Sequence, residues 1–297
     1  TKRALGQIAQ FTGIYAGLQR VMVQLPTEAI SAVKDVNAAQ IELTKVSNAS
    51  GTQLSQYWDE AAQSATKYGS TISDVISSTA DWSRLGYKLD DAKKLSDATS
   101  LLQKVGDNMT HESASSGLIS TLKGFQMNAD EVTKVVDVVN EVANTEPIDT
   151  AGIFDGLTRS ASSMKAANNT FEETVALITA ANSVVQDPDS VGTAFKTISM
   201  RIRGASTDME KAGLDTEGMA ESTAKLRQEV MALSGVDIMK NENEFKSTYD
   251  ILDELSTKWQ DLTDIQQASL TELIAGKRQG NIVSSLMTNF DVARKSL

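Results

Sequence analysis

Apolar residues recur every third or fourth position along most of the 297-residue chain, the spacing that lines one face of an α-helix. Ile8, Phe11, Tyr15, Leu18, Met22 and Leu25 form one such series across residues 4–25. Pro26 interrupts it, and the pattern resumes from Thr27 to Val46 through Ile30, Val33, Ile41 and Val46, as expected when a proline closes one helix and opens the next. Gly13 and Gly17 form a GxxxG pair. In a segment with Gln19 and Arg20 beside it, the pair reads as tolerated helix glycines.

Beyond Gly51 a rhythm emerges in which a small or polar turn precedes an apolar residue, a capping residue and then acidic residues. It is seen at Gly69-Ser-Thr-Ile-Ser-Asp, Gly86-Tyr-Lys-Leu-Asp-Asp, Gly124-Phe-Gln-Met-Asn-Ala-Asp-Glu and Ala167-Asn-Asn-Thr-Phe-Glu-Glu. Asn128 with Glu131, and Thr170 with Glu173, have capping-box spacing, and the acids complement the positive end of the helix dipole. Second helices are predicted near Thr110 to Lys123, Thr150 to Ala166 and Ser190 to Arg203. Starts therefore fall about 40 residues apart, the length of a two-helix hairpin in helical arrays. The repeat is degenerate, and both a stacked bundle and an open superhelix satisfy it.

Residues 204–218 are rich in Gly, Ser, Thr and Asp and read as a loop. Met219, Thr223, Leu226, Val230 and Leu233 then form a short seam ended by Gly235. A short strand pair is expected within residues 236–245. Helices follow from Phe245 to Leu262 and, after a Thr263–Gln266 capping box, from Ile265 to Ala275, with a last helix from Asn281 to Leu297. The predicted fold is all-α: an array or bundle of short helical hairpins with a long N-terminal helix. Its segments are an N-terminal helical region (1–46), a hairpin core (47–235) and a C-terminal helical region (236–297).

Composition supports helix-on-helix packing, because apolar residues make up 40% of the chain and aromatics only 5%. The net charge of −11 disfavours nucleic acid and anionic lipid as partners. With no Cys and one His, disulfides, thiolate metal sites and cysteine nucleophiles are excluded. No apolar run approaches the roughly 20 residues of a membrane-spanning helix. The chain begins at Thr1 and reads as a segment of a longer protein.

Sequence motifs that carry chemistry fail on inspection. His111-Glu112 opens an HExxH-like string, but position 115 is Ser; the histidine reads as a surface or capping residue at a helix start. Asp187-Pro-Asp-Ser-Val-Gly192 mimics a calcium loop, yet Val191 and Ile198 stand where ligands are needed, so a proline-bounded helix start is expected. Ser31/Lys34, Ser64/Lys67 and Ser162/Lys165 have SxxK spacing inside predicted helices without companion KTG or SDN elements. Paired acids such as Asp90/Asp91 and Glu172/Glu173 fit dipole partners better than glycosidase acids. Lys196, Arg201 and Arg203 form a mild cationic cluster that a helix C-terminus explains, with Lys277 and Arg278 a second. Trp58, Trp82 and Trp259 are expected as core or interface anchors. No catalytic, cofactor-binding or metal-ligating residue, and no cofactor, is expected.

Two stretches together resemble the core region of the phage tail tape-measure protein family, as in phages and prophages of Gram-positive bacteria. One runs from Trp82-Ser-Arg-Leu-Gly-Tyr-Lys-Leu-Asp-Asp-Ala through Gly124-Phe-Gln-Met-Asn-Ala-Asp-Glu-Val to Gly192-Thr-Ala-Phe-Lys-Thr-Ile-Ser. The more specific one comprises Gly235-Val-Asp-Ile, Phe245-Lys-Ser-Thr-Tyr-Asp-Ile-Leu-Asp-Glu-Leu-Ser and Leu273-Ile-Ala-Gly-Lys-Arg-Gln-Gly-Asn. The resemblance covers the chain from about Ser47 onward and brings no catalytic motif. It implies a non-enzymatic structural protein of the virion tail, in the tube lumen or at the tip, present in host cytoplasm during assembly. It further implies a part in tail-length determination and genome ejection. Implied partners are tail-tube and tail-tip proteins, tail assembly chaperones and further copies of the chain as a homo-oligomer, with a trimer as the family-based expectation. Two other readings fit the residues less well: a tail-associated cell-wall hydrolase, and a helical scaffold or signalling protein unrelated to phage.

Overall fold

The computed structural model describes residues 27–297, with side chains from residue 31; the helical series of residues 4–25 and its glycine pair lie outside them. The described residues are all-α, with fifteen α-helices and one two-strand ribbon. They fall into two compact units that divide between Val105 and Gly106.

The first unit contains α1 (Thr27–Val46), α2 (Gly51–Tyr68), α3 (Ile72–Arg84) and α4 (Leu89–Val105). Its core joins Ala39 and Leu43 of α1 to Leu54, Tyr57 and Ala61 of α2 and to Val75, Ile76 and Ala80 of α3. Hydroxyls fill much of the remaining interior. The Tyr57 hydroxyl donates to Thr79 Oγ1 at 2.6 Å, Ser96 Oγ donates to the Val75 carbonyl at 2.9 Å, and Trp82 Nε1 donates to Thr99 Oγ1 at 3.4 Å. Trp82 is fully buried and Trp58 packs on the core edge, as expected for anchors. Burial raises the Tyr57 phenol well above its ordinary range.

The second unit begins with α5 (His111–Phe125), a 3-10 turn over Ala129–Glu131, α6 (Val132–Thr145), α7 (Thr150–Ala166), α8 (Phe171–Val185) and α9 (Pro188–Ile202). Then follow α10 (Ser206–Lys211), α11 (Thr223–Ser234), β1 (Met239–Asn241), β2 (Glu244–Phe245), α12 (Thr248–Lys258), a 3-10 turn over Trp259–Asp261, α13 (Asp264–Ala275), α14 (Gly280–Thr288) and α15 (Phe290–Ser296). Helix α8 is the axis of this unit. Phe171 and every residue from Thr174 to Asn182 are buried, because α6, α7, α9, α12, α14 and α15 all pack on it. A helix apolar on all sides has to be enclosed in this way.

The 40-residue rhythm is real and can be stated by its caps. Thr71, Thr110, Asp149 and Asp187 each cap a helix with their side chain, at intervals of 39, 39 and 38 residues. Each of these helices is followed by a residue in the left-handed region: Gly86 (φ 91°), Gln126 (59°), Asn168 (63°) and Gly204 (68°). Within the second unit the first helices of successive hairpins, α5, α7 and α9, lie side by side and parallel. Their register is constant. The residue seven positions after a cap meets the residue five positions after the next: Gly117 meets Phe154, and Gly156 meets Gly192. The small residue is required there, since a Cβ on Gly117 would stand 2.6 Å from the Phe154 ring.

Local expectations fare unevenly. Thr170 and Glu173 form their reciprocal box at 3.0 and 2.8 Å, as do Thr263 and Gln266 at 3.4 and 2.9 Å, and the strand pair forms within residues 239–245. Leu226 and Val230 are buried where α11 packs on α13. The expected loop at 204–218 contains α10, pinned by the fully buried Met209. The helix expected from Phe245 starts at Thr248, capped by Ser247, because Phe245 is spent in the strand pair. The last helix breaks at Asn289, which lets Phe290 turn into the core against the Tyr249 ring, 5.4 Å between centroids.

Candidate functional site

The three parts of the more specific sequence stretch converge on one region of the second unit. Arg201, in the last turn of α9, is 1% exposed. Its guanidinium donates to four backbone carbonyls: Leu273 at 3.2 Å, Asp215 at 3.0 Å, and Glu217 and Glu272 at 2.9 Å. Glu272 and Leu273 belong to the last turn of α13, whose carbonyls carry negative dipole charge; the Glu272 carbonyl also accepts from the Gly276 amide at 3.0 Å. One planar fork thus caps α13 and holds the 212–218 loop. Gly276, at φ 73°, brings the chain past this staple; a Cβ there would stand 3.1 Å from the guanidinium. Lys277 adds an ion pair to Glu217 at 2.5 Å.

Arg201 therefore does not rest on its own helix terminus, as the sequence suggested. It serves the terminus of another helix, and burial holds its pKa below the usual arginine range. Arg203 stacks over the Phe245 ring at 4.2 Å and donates to the Lys246 carbonyl at 3.0 Å; desolvation brings its pKa down to about 10.

The other signature residues are also tied down. Asp237, of the Gly235-Val-Asp-Ile run, receives Arg227 at 2.7 and 2.5 Å and accepts from the Met239 amide at 2.9 Å; the Arg227 hydrogen bonds lower its carboxyl pKa. Lys246 pairs with Glu254 at 2.6 Å. Asn169, 2% exposed, donates to the Met164 carbonyl at 2.8 Å and accepts from the Tyr249 amide at 2.9 Å, joining the α7–α8 turn to the start of α12. Asn168 Nδ2 donates to the Phe245 carbonyl at 3.0 Å.

The residues tested for chemistry are dispersed. Asp187 caps α9, accepting from the Ser190 amide at 3.2 Å, with Pro188 at the first helical position. Asp189 pairs instead with Arg159 at 2.8 Å. His111 and Glu112 open α5, and each SxxK pair lies within a helix, in α1, α2 or α7. Glu172 pairs with Lys134, while Glu173 completes its capping box. Burial raises the Glu173 pKa. Trp259 is buried in a 3-10 turn. Among the described residues no group of three or more His, Asp or Glu is placed to hold a metal ion, and no helix is long and apolar enough to cross a membrane.

Sequence reading missed Arg201 as a staple and Asn169 as a joint. The available signals were Gly276 in the Leu273 run and the Asn168–Asn169 pair in the Ala167 run, residue types that mark tight turns; nothing local marked Arg201.

Stacked helical hairpins, with Arg201 and Asn169 committed to backbone contacts between them, define an all-α helical-array protein. Residues 59–276 match the family described as phage-related minor tail protein, and the chain belongs to that family. Its setting is the phage tail, among other tail components, and its role there is structural. No solved structure matches the chain.

Proposed function

We propose that the chain is a segment of a tail tape-measure protein, working as a folded domain required for tail assembly and contributing little linear measure. The parallel stack of α5, α7 and α9 is the observation that carries this reading. A 39-residue hairpin advances such a stack by one helix spacing, roughly 8–10 Å, whereas the same residues as a straight helix span about 58 Å. Family membership and the resemblance of the two signature stretches support the tape-measure assignment. In this reading the segment sits in the tube lumen or at the tip, contacts tail-tube and tail-tip proteins and its own copies, is bound by chaperones during assembly, and leaves at genome ejection. Its role is non-catalytic.

Deleting residues 59–276 in frame from the intact phage tests the assignment. The expected result is loss of tails of defined length by electron microscopy. Tails of normal number and length would overturn it. Clearing of cell walls by the purified chain in a zymogram would overturn the non-catalytic role.

A further inference from the structure

We draw no further inference here: the strongest candidate, the pocket of about 330 Å³ in the first unit between the α1–α2 and α3–α4 turns, lined by Val46, Ala49, Ser83, Tyr87 and Leu89, carries nothing because no feature of the structure shows what fills or covers it.

Discussion

Gly156 and Gly192 meet backbone to backbone. A Cβ built on Gly192 stands 2.4 Å from the Gly156 carbonyl oxygen and 2.8 Å from its Cα. Neither atom belongs to a side chain that can rotate away, so Gly192→Ala has to separate α9 from α7. The expected loss is about 2–3 kcal/mol in urea denaturation. Gly235→Ala is the control: its left-handed φ of 75° strains an alanine, yet nothing lies within 4 Å, and about 1 kcal/mol is expected. Equal losses at the two positions would show that the helices do not approach this closely.

Arg201 donates into four carbonyls from a buried position. Arg201→Met leaves all four without that donor and is expected to cost several kcal/mol, at about 1–3 kcal/mol for each buried carbonyl left unpaired. Arg201→Lys keeps the charge but loses the planar fork, and should lie between Met and wild type. Limited trypsinolysis gives an independent readout, because releasing the 212–218 loop should speed cleavage at Lys211 and Lys225.

The contrast between these two features shows what the sequence made legible. Helix starts were readable because a cap such as Thr170 finds its partner Glu173 three residues away. The hairpin period was readable for the same reason, since the caps mark it. The arginine staple was not, because its partners lie 14 to 72 residues away and are backbone carbonyls that any residue supplies. The break at Asn289 escaped because it is set by Phe290 packing on Tyr249, a contact across more than one helix, while the local apolar spacing runs through it.

Val230 is fully buried where α11 packs on α13. Val230→Asp places a carboxylate there without a partner, and a loss of several kcal/mol is expected. Thermal denaturation followed by circular dichroism checks it; an unchanged melting temperature would put this helix face in solvent.

Asp237 sets an acid dependence. Its carboxyl pKa is lowered in the folded chain, chiefly by the Arg227 hydrogen bonds. The pair therefore stabilises the fold above the unfolded carboxyl pKa of about 3.9, and that contribution fades as pH falls through the lower folded value. The pair is partly exposed, so the contribution is less than about 1 kcal/mol. Wild type should exceed Asp237→Asn in stability at pH 7, and the difference should vanish toward pH 2. A difference that grows with acid would reverse the assignment.

The central claim, that this region serves in the tail as folded hairpins, is tested most directly by removing one module in register. Deleting residues 110–148 joins the chain so that Asp149 takes the cap position of Thr110. Tail length is then measured by electron microscopy of the phage carrying that deletion. The account predicts either loss of assembly or tails within about 10 Å of normal length, one helix spacing. Viable tails shortened by about 58 Å, the span of those residues as a straight helix, would contradict it.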